Sequence, residues 1–308
     1  MNNQALAILK GGGLLLRSVA VVSSSVATIV STVLPLYLYY PIALYRLISL
    51  FLLLTLGAFV IHGVLTHILN DYIDHQSGTD AHSPAILSGG SRVIQEGYFS
   101  SEALWRFGKS LFALLAMVVA MFVIFGYYQM AILLAIGLWG AVSYSLPPLR
   151  LSYLPLVGEW LATFPSVFFL GVAGGWLMLD PTPEWVLQNA VINALFCIAW
   201  VMIHHIPDRD ADRKAVPTKK TSVVWSVERF GTAFSRLPAL VYFGLTGLCA
   251  LWLGLDRLWA AVGLVIMTGA AVFLIFKMDV EDHQQVSACE KAILILAMVN
   301  AVWLGIFI

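Results

Sequence analysis

From Leu47 to Leu69 the chain runs for more than twenty residues without a Lys, Arg, Asp or Glu. A helix of that length crosses the roughly 30 Å hydrocarbon core of a bilayer, where every backbone polar group must be satisfied within the segment itself. Comparable stretches follow Arg17 as far as about Tyr40 and recur near 104–126, 129–146, 157–179, 186–205, 236–254, 258–276 and 290–307. The first outruns the apolar region of a secretory signal and is read as a span. Composition agrees, with 60% hydrophobic and only 11% charged residues, against roughly a quarter charged in soluble chains. The expectation is an all-α polytopic membrane protein, one domain over residues 1–308, with nine transmembrane helices.

Of the 17 Lys and Arg residues, only Arg46 and Arg257 fall on one side of such a topology. The rest, from Lys10 to Lys291, fall on the other, and this bias places the amino terminus in the cytoplasm and the carboxyl terminus outside. The long connections, near 70–103, 147–156, 206–235 and 277–289, are then cytoplasmic, and loops of this kind are where sites tend to sit. A formal net charge of zero gives no reason to expect a nucleic-acid partner. Cys197, Cys249 and Cys289 are too scattered to form a disulfide framework or a zinc site.

Two acid clusters punctuate the loops. NDYIDHQSGTD spans Asn70 to Asp80. If the second helix continues for another turn, Asn70, Asp71 and Asp74 share a side of it. Clustered carboxylates call for a cation among them, and Mg²⁺ is held by a few carboxylates together with phosphate oxygens and water. A solvated helix cap would use the same residues. HHIPDRDADRKAVPTKKTSVV spans His204 to Val224, with Asp208 and Asp212 one helical turn apart, Asp210 directed elsewhere, and Arg209, Arg213, Lys214, Lys219 and Lys220 close by. Acids for a cation beside bases for phosphate oxygens suit a polyanion carried on a metal. A solvated loop of mixed charge is the alternative.

NDYIDHQSGTD paired with DRDAD at Asp208–Asp212, and YSLPPLR at Tyr144–Arg150 after the fourth span, resemble the aspartate-rich and tyrosine motifs of the UbiA superfamily of intramembrane prenyltransferases. The resemblance covers nearly the whole chain. It implies nine helices around a central cavity open to the cytoplasm, with Asn70, Asp71, Asp74, Asp208 and Asp212 binding Mg²⁺ and Asp80 as an outer acid. It also implies a prenyl diphosphate donor, an aromatic acceptor, and a lipid bilayer from which the donor's tail enters. Arg17, Arg92, Arg150, Arg209, Lys214, Lys219 and Lys220 are then candidates to bind the diphosphate. Tyr144, beside Ser145, is placed to steady a cation with its π face.

GGSRVIQEG at Gly89–Gly97, with the first motif, resembles the branch that prenylates 1,4-dihydroxy-2-naphthoate in menaquinone synthesis. Two departures bear on the acceptor: His204, His205 and Pro207 stand where that branch usually has Asn, Asn and Arg, and VPTKKT at Val216–Thr221 replaces its Gly-Lys-Arg-Thr. A terpene cyclase of the UbiA type would share the ionising half of the chemistry, and a secondary transporter would use acids near span ends for coupling ions. In a regular helix His62 and His67 lie about 140° apart. His67, one turn before Asp71, could orient an acceptor hydroxyl or act only as a polar contact between helices. Glu159, just inside the fifth span, is read as a charge that only snorkels to the interface, or else as a base or a loop anchor.

Overall fold

The computed structural model describes residues 3–16, 18–84, 86 and 88–308, with no strand among them. Among the described residues, nine helices are long and apolar enough to cross a membrane. Numbered as spans 1 to 9, they are Leu9–Tyr39, Leu44–Ser77, Ser101–Ile124, Tyr128–Ser145, Glu159–Met178, Glu184–His204, Thr232–Leu253, Leu258–Lys277 and His283–Ile306. Spans 1 to 5 pack in sequence, and span 1 returns against span 5, so these five close on themselves. Span 6 packs on span 5 and leads into spans 7 to 9, the last of which returns to span 1. Span 6 is the most enclosed, and its Phe196 meets Phe243 of span 7 edge to face at 5.0 Å.

Small residues let these helices approach, as expected where lipid is no less apolar than a side chain and association depends on close packing. At Gly175 of span 5 an added Cβ would lie 2.4 Å from Val186 of span 6, and at Gly174 it would lie 2.7 Å from Thr32 of span 1. Polar contacts reinforce the same junction. Asn189 Nδ2 donates to the Ser31 carbonyl at 3.0 Å, and Asn193 Nδ2 donates to Ser31 Oγ at 2.6 Å. Near the start of span 6, buried Arg257 donates to Gln188 Oε1 at 2.8 Å, to Asn189 Oδ1 at 2.9 Å and to the Leu304 and Phe307 carbonyls.

Three spans are not regular α-helices throughout. Val22–Val26, Phe59–Thr66 and Glu159–Thr163 are wound more widely, with π-type i→i+5 bonding. Each turns side chains into one shared cavity, including Ser24 and Ser25, His62 and Thr66, and Ala162 and Thr163. The wider winding also overturns the expected separation of the two histidines. Five residues make about one π turn, so the His62 and His67 rings lie 5.4 Å apart instead of on different faces.

Candidate active site

The cavity has a volume of about 570 Å³ and is lined by residues of spans 1 to 6. Along span 2 it reaches from Asp74 to Leu53, roughly 30 Å at 1.5 Å per residue. Its walls are apolar for most of that length, with Leu53, Leu115, Phe122, Met130, Leu134 and Phe169 among them. Polar residues gather at one end, where Asn70, Asp74, Tyr144, His204, His205, Asp208 and Lys219 face one another.

Span 2 carries the first motif on its last turns and stops at Gly78, whose φ of +80° is the left-handed cap that glycine adopts without steric cost. Asn70 Nδ2 donates to Asp74 Oδ2 at 2.8 Å, and Ser145 Oγ donates to Asn70 Oδ1 at 3.1 Å. Asp71 is rotated about 100° from Asn70. Its carboxylate leaves the cavity and accepts a bond from Ser91 Oγ, so the shared side expected of these three residues holds only for Asn70 and Asp74. Asp80 accepts from Gln95 Nε2 at 2.8 Å. The Gly89–Gly97 stretch therefore acts as a strap over the outer acids. At Gly90, with φ at +71°, an added Cβ would lie 3.0 Å from Asp80 Oδ1. Burial, together with Asp74 and Asp71, pushes the Asp80 carboxyl up to about 7.

The second motif follows span 6, and its loop is pinned to the first by a 2.9 Å bond from Val216 N–H to the Ser77 carbonyl. That path delivers Lys219 between the two motifs. Its Nζ lies 2.9 and 3.1 Å from the Asp74 oxygens and 3.8 Å from Asp212 Oδ1, all three residues being buried. Burial alone would lower the Lys219 ammonium, but Asp74 and Asp212 outweigh it and hold the group well above its ordinary range. Burial pushes Asp212 well up and Asp208 up, with Lys219 opposing in both cases. Asp208 Oδ1 and Asp212 Oδ1 have no hydrogen-bond partner.

The other candidates separate by position. Tyr144 lines the cavity with its hydroxyl 3.2 Å from His205 Nε2, and burial keeps the His205 imidazole well below its usual range. His67 also lines the cavity, with Nδ1 3.1 Å from the Gly63 carbonyl. Arg209 is turned away, donating to the Ile206 and Val280 carbonyls and to Glu281. Lys220 pairs with Glu228 at 2.9 Å, Lys214 is exposed, and Arg92 is half-buried in the strap. Arg150, with φ at +43°, lies over the Tyr153 ring at 5.5 Å. Arg17 lies outside the described residues. Glu159 accepts from Ser222 Oγ at 2.5 Å, and Ser222 Oγ itself accepts from Leu156 N–H at 2.7 Å, so Glu159 and Ser222 anchor the loop before span 5 to the helix starting at Ser222.

Two participants were not singled out from the sequence. Glu290 of span 9, fully buried, meets His204 Nδ1 at 2.6 Å. Trp200, one turn before His204, lines the cavity with its indole N–H buried and unpartnered. Glu290 stands at the edge of the apolar stretch near 290–307, so its place inside a span shows only once the helix is seen to start at His283.

No curated protein and no solved structure compared with this chain matches it. Residues 29–299 match the UbiA prenyltransferase family, and the chain belongs to that family of enzymes, which transfer prenyl groups to aromatic acceptors within the membrane.

Proposed function

We propose that residues 1–308 form one catalytic domain that uses Mg²⁺ to transfer a polyprenyl group from an allylic diphosphate to 1,4-dihydroxy-2-naphthoate or another quinone precursor. The observation that carries this reading is that Asp74, Asp208 and Lys219 line the polar end of a long apolar cavity, with Asp212 3.8 Å from Lys219. The head of the cavity suits a diphosphate and its walls suit a prenyl tail. The positive-inside distribution of basic residues supports a cytoplasmic site in a cell membrane.

The residues fit the metal that the family implies. Asp208 and Asp212 each keep a buried carboxylate oxygen without a hydrogen-bond partner, that of Asp212 lying 3.8 Å from Lys219 Nζ, and with Asp74 and Asn70 they offer oxygen donors to a cation. Among the described residues no group of three or more His, Cys, Asp or Glu is placed to hold an ion by itself. On this reading phosphate oxygens and water would have to complete the coordination. Bound there, Mg²⁺ supplies Lewis-acid neutralisation of charge on the diphosphate.

Lys219 holds the two motifs in register and offers an ammonium to the leaving oxygens. Tyr144 presents its ring to the cavity beside the acids, where an allylic cation would form. The apolar walls exclude water from that cation, and Asp71 and Asp80 fix the strap over the motif from behind.

The naphthoate assignment rests on the Gly89–Gly97 stretch, whose Ser91 and Gln95 contact the acids of the first motif. The test incubates the purified protein with a defined prenyl diphosphate, Mg²⁺ and either dihydroxynaphthoate or 4-hydroxybenzoate, and reads the product by mass. A prenylated naphthoquinone precursor is expected. A hydrocarbon formed equally well without acceptor would replace this reading with cyclisation, and a prenylated benzoate would move the acceptor to another class.

A further inference from the structure

His204 and Glu290 form a buried pair that the metal and diphosphate chemistry leaves unused. Their 2.6 Å contact joins spans 6 and 9, and Glu290 is wholly enclosed. Glu290 as a carboxylate only accepts, so a neutral His204 ring that donates to it from Nδ1 would carry its lone pair on Nε2. The ring lines the cavity, one helical turn before Asp208, with His205 adjoining it at 6.2 Å and Lys219 across the polar end. Trp200, one turn back, sets its ring 5.3 Å from that of His204. Trp200 is 6% exposed, and its buried N–H has no partner in a residue that lines the cavity. A flat ring wall, an unused donor and an imidazole oriented by a carboxylate thus stand side by side, within reach of the acids that would hold the diphosphate.

We propose that this is the acceptor's site, with His204 as the general base that removes a hydroxyl proton from the aromatic acceptor and Glu290 as the residue that positions it. The inference rests on the prenyl-transfer reading above and adds to it that the acceptor must carry a free hydroxyl conjugated with the attacked carbon. In the step, the bond from C1 of the prenyl group to the diphosphate oxygen breaks, with its electron pair leaving on the diphosphate. The acceptor's ring carbon supplies the pair for the new carbon–carbon bond, and the hydroxyl proton passes to His204 Nε2. The resulting imidazolium is stabilised by Glu290. When the ring recovers aromaticity, its displaced hydrogen leaves as a proton to water or diphosphate, and His204 returns the borrowed proton to the oxygen.

The experiment follows diphosphate release and prenylated product in parallel for the wild type, His204→Asn and Glu290→Gln, using a dihydroxyarene and its di-O-methyl ether. Asn can still donate to Glu290, and Gln retains the packing of Glu290, so the two variants test the fold independently. Loss of a general base typically costs about 10²–10⁴-fold. Product from the dihydroxyarene should fall by at least about 100-fold in His204→Asn and about tenfold in Glu290→Gln. Diphosphate release should fall far less, with the prenyl group recovered as alcohol. On the methyl ether the wild type and both variants should be equally slow.

A purely structural role would lower release and transfer together on both acceptors, and that result would overturn the proposal, as would unchanged transfer in His204→Asn. Wild-type protein that ionises the donor but prenylates no arene would instead remove the transfer reading on which the proposal rests.

Discussion

Replacing Lys219 with Met removes a side chain that bridges the two acid motifs, while keeping the length and apolar stem of the residue. At 2.9 to 3.8 Å from Asp74 and Asp212, each attraction is worth about 4–6 kcal/mol gross at an effective dielectric near 20. Desolvation of the three buried groups offsets much of this, and removing one partner of a buried ion pair costs about 3–5 kcal/mol in practice. Asp74 keeps its bond from Asn70, whereas Asp212 Oδ1 keeps none, so the lower end of that range, about 3 kcal/mol, is expected at neutral pH. For a chain of this size the loss corresponds to a melting point lower by roughly 5–10 °C.

The same change frees the acids for another cation. In thermal unfolding of detergent-solubilised protein, followed by tryptophan fluorescence, Mg²⁺ without donor should raise the melting point of Lys219→Met more than that of the wild type, where the ammonium competes. Turnover should fall in the variant even with Mg²⁺ saturating, because the leaving diphosphate loses a cation. An unchanged melting point, or an equal response to Mg²⁺ in both proteins, would refute the bridging role.

Asp74→Ala and Asp208→Ala should each abolish prenyl transfer and leave membrane insertion and yield unaltered; wild-type turnover in either would remove these acids from the metal site. Asp80→Asn should stabilise the protein on the alkaline side. The raised folded-state value, about 7, means the folded chain keeps its proton after the unfolded chain has lost it. Stability therefore falls as pH rises from about 4 to 7, by an amount on the order of 2–4 kcal/mol. The melting points of wild type and Asp80→Asn, measured without Mg²⁺, should coincide near pH 4 and separate by pH 8, and parallel curves would contradict the shift. Arg257→Leu should cost about 3 kcal/mol through the buried acceptors it strands. It should leave activity per folded molecule intact, since Gln188 and His204 are about 24 Å apart along span 6; a fall in the activity of correctly folded variant would contradict a purely structural role.

The membrane-spanning architecture is a one-dimensional property, which is why it could be read from charge-free runs alone. The acid motifs were legible for the same reason, since their spacing is local and their place at span ends follows from the runs. What stayed hidden depends on winding and on loop path. A π segment leaves no signature in residue type, so His62 and His67 were expected on different faces of span 2. The turn from Asn70 to Asp71 sends one acid into the cavity's polar end and the other under the strap, a distinction that a shared i, i+3, i+4 pattern blurs. Lys219 was one cation among six in its loop until the bonds from Val216 to Ser77 and from Lys219 N–H to the Asp212 carbonyl fixed its course. Glu290 lies 86 residues from its partner His204, and no local pattern joins them.

The two ends of the cavity answer opposite physical demands. Breaking an allylic carbon–oxygen bond builds negative charge on the diphosphate and positive charge on carbon. The first needs cations and the second needs protection from water. A soluble pocket would have to build both environments from one core. Here the bilayer already supplies the dry half, so the sequence spends its charged residues at the polar end and lines the remainder with Leu, Val, Met and Phe. That division explains why the buried ionisable side chains of the cavity lie within a few turns of one another although they come from spans 2, 6 and 9 and the loop after span 6. It also gives Lys219 a reason to be a lysine. Asp74, Asp208 and Asp212 repel one another in a poorly hydrated setting, and on the proposed reading an ammonium on a flexible stem offsets that repulsion and turns to the diphosphate when it arrives. A guanidinium, with its rigid fork, would hold its carboxylates in fixed bidentate geometry and yield them less readily to a metal ion.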